Sequence, residues 1–347
     1  MTAQVAVLIA TYNRGRLLGE TLDELARSIV PDHLAWEVVV VDNNSTDDTR
    51  QVVIRRQSRF PVPLRYVFEG QQGRSAALNT AIASTAASLL LCTDDDVRVD
   101  PGWLHAGWRA LANGADYVGG PVVPIWEAPP PVWLDLTRAD LWGTIAILDY
   151  GAEHFRFEDR RLVPLGANMG MRRSLVDKVG GFRADLGRTT SRKVLGQEVP
   201  ELLARARAAG LHGVYVPAMA VHHHVPKERL TKAYYRRWWM GKGYSKAMFE
   251  ASQPVTELGL DLRAVPHVGA IPRFMFTDAF RDIVGWIRAL LRRDPVERFR
   301  HAMRLAYLVG FVRARGFRRR PIYAVPPAHP APAAVAGNAS DMLKSAV

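Results

Sequence analysis

A single cysteine, Cys92, in a chain of 347 residues excludes an internal disulfide and a cysteine-based zinc site. Such scarcity fits a reducing compartment. No run of about 18 apolar residues occurs, which argues against a membrane-spanning helix. The N-terminus has no basic stretch ahead of its first apolar run, and that run is broken at Thr11, Tyr12, Asn13 and Arg14. It reads as a first strand and not as a signal peptide. With 48% hydrophobic and 23% charged residues the chain is not of disordered composition. Its length suits one large domain with additions, or two domains.

Acidic residues are outnumbered, 34 to 46, which leaves a formal net charge of +12. An excess of this size suggests an anionic partner: nucleic acid, an acidic membrane surface or a phosphorylated substrate. The excess is localised. Residues 226–320 hold 21 Lys and Arg against 8 Asp and Glu, a net of +13, and the rest of the chain nets −1. A nearly neutral body therefore precedes a strongly basic C-terminal segment.

The first hundred residues alternate between two periodicities. Residues 5–10, 36–42, 64–68 and 89–93 read as strands, the first two apolar enough to be buried on both faces. Helical spacing separates them at 17–25, 47–56 and 75–87. Such alternation implies right-handed crossovers around a mostly parallel sheet, with ligands at the carboxyl ends of the strands. Three polar sequences fall at those ends: residues 11–14, 42–46 and 94–96. Further on, a helix is expected over 198–209 and a strand over 214–221, ending in His222, His223 and His224.

Asp94, Asp95 and Asp96 are three adjacent carboxylates behind a buried strand. They repel one another unless a cation or solvent compensates. Hard carboxylate oxygens suit Mg²⁺ or Mn²⁺, commonly shared with substrate phosphates. In a strand His222, His223 and His224 alternate faces, so at most two serve one site.

The chain resembles the family 2 glycosyltransferases of the GT-A fold, of bacterial cell-envelope or polysaccharide type. The resemblance is carried, in order, by residues 9–14, 40–47, 73–79 and 93–96, Pro101-Gly-Trp103, residues 166–169, Gly180-Gly-Phe182, Gly196-Gln-Glu198 and His222-His-His224. It implies a Rossmann-like, mixed but mostly parallel sheet with helices on both faces, and a nucleoside-diphosphate sugar as donor. Thr11 and Asn13 would line the nucleotide pocket. Asp42 would accept the N3–H of uracil or thymine, which a carboxylate, being acceptor-only, complements. Arg74 would face the diphosphate. Asp94 would approach the ribose and the metal, Asp96 would ligate the metal, and Asp95, the variable middle residue, would lie beside them in the donor site. His223 would be a third metal ligand or a diphosphate contact. Glu198 would be the general base that activates the acceptor hydroxyl. The family usually has Asp there, and Glu201 is the nearby alternative. Trp103 reads as core, while Trp126, Trp133 and Trp142 are candidates for an acceptor-side surface.

The organisation expected is a catalytic domain over 1–225, a basic amphipathic helical extension over 226–317 and a Pro/Ala-rich disordered tail over 318–347. In the extension Phe276, Phe280, Ile283, Ile287 and Leu290 share one helical face, and Phe299, Met303, Ala306 and Val309 another, each edged by arginines. Residues 270–320 could lie on an anionic membrane surface or pack on the core as a helical hairpin. Nucleic acid is disfavoured, because no recognised binding motif accompanies the basic residues. The expected function is metal-dependent, inverting transfer from a UDP-sugar or related donor to a saccharide, glycolipid or lipid-linked cell-envelope acceptor. The expected location is cytoplasmic, peripheral on the inner face of the membrane. The rival readings are a sugar nucleotidyltransferase, against which the glycine-poor 10–15 loop speaks, and an inactive glycosyltransferase-like scaffold, which only Glu198 in place of Asp favours.

Overall fold

The computed structural model describes residues 3–160, 162–186, 196–252 and 261–316. The tail expected over 318–347 lies outside the described residues. In chain order the first half comprises β1 (Val5–Thr11), α1 (Gly15–Leu25), β2 (Trp36–Asp42), α2 (Thr49–Gln57), β3 (Leu64–Phe68), α3 (Arg74–Ala83), β4 (Leu89–Asp94), β5 (Val97–Val99), α4 (Trp103–Ala112), β6 (Tyr117–Gly119) and β7 (Val122–Trp126). The second half comprises β8 (Phe155–Arg156), α5 (Phe157–Arg160), β9 (Asn168–Arg172), α6 (Arg173–Val179), α7 (Glu198–Ala208), β10 (Gly213–Tyr215), β11 (Val221–Val225), α8 (Lys232–Ser252), β12 (His267–Val268), β13 (Ile271–Pro272), α9 (Arg273–Leu291) and α10 (Pro295–Arg315).

Eight strands form the main sheet in the order β3-β2-β1-β4-β9-β6-β10-β8. The pairs β2–β3, β1–β2, β1–β4 and β6–β10 are parallel, and β9 runs antiparallel to both β4 and β6. Side chains from Val5 to Ile9 and from Val38 to Val41 are fully buried, which is why these segments read as continuous apolar runs. Cys92 faces this core, where burial pushes its thiol up to about 12. This α/β architecture is the GT-A fold.

One expected strand is in fact two. Residues 214–221 do not continue into the histidines: β10 stops at Tyr215, and β11 starts at Val221 in a different sheet. Pro217 interrupts the ladder by removing a donor. The histidines are inside β11, not beyond its end. There β11 pairs antiparallel with β5 and parallel with β7.

The C-terminal helices build a second core. Tyr235 and Trp239 of α8 and Phe299, Met303 and Ala306 of α10 bury against Leu134, Leu141 and Ile145. Asp294 caps α10 by accepting from the amides of Val296 and Glu297, with Pro295 at the favoured first position. Arg138–Glu297 (2.6 Å) and Arg304–Asp140 (3.0 Å) tie α10 to the body. The helices α8 and α10 cross at closest approach through Gly243 and Gly310. A Cβ on Gly310 would overlap the Met240 carbonyl, and one on Gly243 would overlap the Tyr307 carbonyl. Trp103 is core, its indole N–H donating to Asn168 (2.8 Å). Of the apolar face expected for α10, Phe299, Met303 and Ala306 thus pack and Val309 stays exposed, whereas the face of α9 is exposed throughout.

Because the obstacle at the crossing is backbone, Gly310→Ala must push the helices apart. It should lower stability by about 2 kcal/mol, the usual cost of overpacking, read as a shift in the guanidinium unfolding midpoint with unchanged slope.

Candidate active site

The carboxyl ends of β1 and β4 and the first turns of α3 and α7 open onto one cleft of about 780 Å³. Thr11, Arg74, Asp94, Asp95, Asp96, Glu198 and His223 all line it. These residues are distant in sequence, and the register explains their meeting. Parallel pairing of β1 with β4 sets Ala10 beside Asp94. The chain then reverses through Asp95 and Asp96 into β5, whose pairing with β11 sets His223 opposite Val97. The His224 amide donates to the Asp96 carbonyl (2.8 Å).

Two arginines compensate the carboxylates. Arg14 donates to Asp95 (3.0 Å) and to Asp96 Oδ2 (2.6 Å). Arg74 donates to Asp94 (2.8 Å), to Glu198 Oε1 (3.1 Å) and to the Gly166 carbonyl (2.8 Å). Thr11 Oγ1 donates to Asp95 Oδ2 (2.7 Å). Burial, helped by neighbouring Asp96, pushes the Asp95 carboxyl up to about 7 against the pull of Arg14 and Thr11. Arg74 sits at the start of α3 because Asn43 fixes the preceding loop: its amide accepts from Gly73 N (2.7 Å) and donates to the Gln71 carbonyl (2.7 Å). Gly73 holds φ at 145°, a conformation side chains oppose.

Asp94, Asp96 and His223 place one ligand atom each within 4.8 Å of one another. Asp96 Oδ1 and His223 Nδ1 are buried and find no hydrogen-bond partner among the described residues. Burial holds the His223 imidazole below its usual range, against the attraction of Asp96, so the neutral, lone-pair-bearing form is favoured. Two carboxylates and a neutral imidazole form a donor set that fits a divalent cation such as Mn²⁺ or Mg²⁺. The neighbouring histidines point away: His222 pairs with Asp100 (2.9 Å) and His224 lies toward Glu127.

Glu198 begins α7 and is buried, with Oε2 unpartnered. Glu201, the alternative base, stands outside the cleft lining and is locked in a bidentate pair with Arg205 (2.9 and 2.8 Å). Asn13 and Asp42 also stand outside the lining. Asn13 is at φ 52° and accepts from the amides of Thr46 (2.7 Å) and Asp47 (3.3 Å), shaping the loop after β2. Asp42 is buried, accepting from the Ser45 amide (2.9 Å) and the Tyr66 hydroxyl (2.8 Å).

The basic segment supplies a further part of the cleft wall. Arg229, Trp238, Trp239, Lys242, Lys246 and Tyr307 line the cleft. Lys242 lies over the Trp238 and Trp239 rings, 5.0 and 5.5 Å from their centroids. Neither indole N–H has a partner among the described residues. The candidates Trp126, Trp133 and Trp142 are instead packed in or beside the second core and do not line the cleft. The interleaving of Trp and Lys over 232–246 was the available signal for this wall.

Fold and cleft together fit the class of glycosyltransferases. Residues 6–180 match the model of glycosyl transferase family 2, and the chain belongs to that family. The chain is 30% identical to the glycosyltransferase AglE of Haloferax volcanii over 119 residues, 34% of this chain and 39% of that protein. It is 24% identical to the glucosyl-dolichyl phosphate glucuronosyltransferase of the same organism over 258 residues, 72% of this chain and 79% of that one. Matches to AglE and to a Nostoc glycosyltransferase span 39% and 28% of those proteins' lengths. Among solved structures, the mannosyltransferase PcManGT of Pyrobaculum calidifontis, in complex with GDP-Man and Mn²⁺, is similar in fold. Its TM-score is 0.56 at 21% identity, covering 90% of this chain and 87% of that one.

Glu201 and Glu198 should separate cleanly by mutation. Glu201→Gln breaks a buried ion pair and should cost about 3 kcal/mol of stability. Glu198→Gln should move the unfolding midpoint less, since the amide oxygen can still accept from Arg74 and Arg74 keeps Asp94 as its counter-charge.

Proposed function

We propose that this enzyme transfers a glycosyl group, with inversion, from a nucleoside-diphosphate sugar to a hydroxyl of a saccharide, glycolipid or lipid-linked cell-envelope acceptor. The observation that carries the reading is one cleft lined both by the Asp94–Asp96–His223 group and by Glu198, whose Oε2 is unpartnered and whose Oε1 shares Arg74 with Asp94. The acceptor oxygen attacks the anomeric carbon from the face opposite the diphosphate. Glu198 Oε2 takes its proton as the new C–O bond forms and the bond to the diphosphate breaks, the electron pair leaving with the phosphate. Arg74, bridging Asp94 and Glu198, positions the base and offers charge to the leaving group. Asp94, Asp96 and His223 would hold Mn²⁺ or Mg²⁺, which when bound supplies Lewis-acid neutralisation of the diphosphate.

A UDP-sugar is the favoured donor. Asp42 is acceptor-only and immediately precedes Asn43, which lines the cleft; each of its oxygens, already holding one donor, keeps a second lone pair for an imide N–H should the base reach behind that lining. On the acceptor side, Trp238 and Trp239 line the cleft with aromatic side chains, which suit contact with a sugar. Lys242 and Lys246 in the same wall favour an acceptor carrying anionic charge, as a lipid phosphate does. Such an acceptor would put the enzyme peripherally on the cytoplasmic face of the membrane.

Incubation with a panel of nucleotide sugars and Mn²⁺ tests the reading, and absence of both binding and donor hydrolysis across the panel would overturn it. Glu198→Gln should lower kcat by about 10² to 10⁴ with little change in donor KM, the range of a lost general base. Asp96→Ala should abolish turnover and Mn²⁺-dependent donor binding together. An inactive scaffold would be indifferent to that change, and release of pyrophosphate from a nucleoside triphosphate would favour a nucleotidyltransferase.

A further inference from the structure

The helix α9 has three faces. Met275, Asp282 and Ala289, at heptad spacing, are buried. This seam seats the helix on α10, where Asp282 meets His301 (2.7 Å). A second face carries Phe276, Phe280, Ile283, Ile287, Leu290 and Leu291. At 3.6 residues per turn these six side chains fall within an arc of about 100°. All are exposed, from 39% at Phe276 to 67% at Phe280 and 78% at Leu291. A third face holds Arg273, Arg281 and Arg288, continued by Arg292, along one border of the apolar stripe. The two acidic residues of α9, Asp278 and Asp282, lie on the side turned away from the stripe.

A contiguous exposed apolar stripe on a packed helix needs a partner. The arrangement of charge selects its kind: arginines edge the stripe and carboxylates are kept behind it. No helix among the described residues is long and apolar enough to cross a membrane. A helix about 28 Å long, apolar on one side and cationic along its border, instead lies in the plane of a lipid interface. We infer that α9 docks on an anionic lipid surface, inserting the Phe276–Leu291 stripe between headgroups while Arg273, Arg281, Arg288 and Arg292 meet lipid phosphates. The neighbouring helix α10 cannot serve this purpose, since its Phe299, Met303 and Ala306 are consumed in the second core. This docking deepens the peripheral placement proposed for the enzyme but requires no catalytic step.

Cosedimentation of the full chain with phosphatidylglycerol/phosphatidylcholine vesicles, and with phosphatidylcholine alone, tests the assignment. The chain should pellet with the anionic vesicles at low salt and be released as salt rises. The triple change Phe280→Ser, Ile283→Ser, Ile287→Ser should weaken partitioning at least about tenfold. Its three sites are solvent-facing, and a thermal melt matching the parent verifies its fold. Arg288→Gln with Arg292→Gln gives an independent reading: it should reduce binding to anionic vesicles and not to neutral ones. The assignment is overturned if the parent stays in the supernatant with anionic vesicles at low salt, or if the triple variant binds as the parent does. It is equally overturned if light scattering shows a dimer that the triple variant dissolves, which would make the stripe a contact between two copies. Vesicle binding is read without donor, and donor binding without vesicles, so either reading can fail alone.

Discussion

Three carboxylates in consecutive positions at the end of a buried strand cannot persist without compensating charge, and much of the catalytic half is arranged around that requirement. Asp95 and Asp96 are buried, and each leans on Arg14 from the loop after β1. Asp94 leans on Arg74 from the start of α3. Both arginines must therefore be held in place: Arg14 by the parallel registry of β1 against β4, Arg74 by the Asn43 clamp on the loop before α3. Breaking either support leaves buried charge unpaired, which costs far more than the pair itself contributes. The same compensation leaves one useful vacancy in the network. Asp96 gives Oδ2 to Arg14 while its buried Oδ1 accepts from no described residue and faces His223.

The second sheet turns this carboxylate cluster into a site. The chain leaves the main sheet at Asp94 and enters β5 only three residues later. Pairing of β5 with β11 then delivers His223 from the far end of the catalytic half, while the strand's alternation sends His222 and His224 elsewhere. Glu198 arrives from a different direction, at the first turn of α7, and Arg74 links it to Asp94. Glu198, Arg74 and the Asp94–Asp96–His223 group are thereby one connected network, in which displacement of any member is felt by the others.

The uneven charge of the chain acquires three distinct meanings. Lys242, Lys246 and Arg229 line the same cleft as the aspartates, so part of the basic excess faces the candidate site. Arg138, Arg300 and Arg304 pair with Glu297 and Asp140 and fasten α10 to the body. The arginines of α9 do neither and border an exposed apolar stripe. A net charge per segment cannot distinguish these uses, because each depends on which face of a helix meets which neighbour.

Much of the fold was legible in the sequence because its signals are local. Continuous apolar runs such as 36–41 mark strands buried on both faces, helical spacing separates them, and the polar strand ends announce a shared edge. The carboxylates and Glu198 followed from residue chemistry and motif order. What was not legible depends on contacts across long separations. Periodicity could not show that the chain changes sheets between Tyr215 and Val221, nor that Asn13 accepts from the amides of Thr46 and Asp47 and Asp42 from Ser45 and Tyr66. It could not rank Trp238 and Trp239 above Trp126, Trp133 and Trp142, since all are aromatic and only packing decides which face the cleft. Nor could it separate α9 from α10, two arginine-edged amphipathic helices of nearly equal length. The sequence determined that both have an apolar face. Only the tertiary structure decided that α8 and the body already cover one of them, because burying a face requires a partner surface that no helical pattern contains.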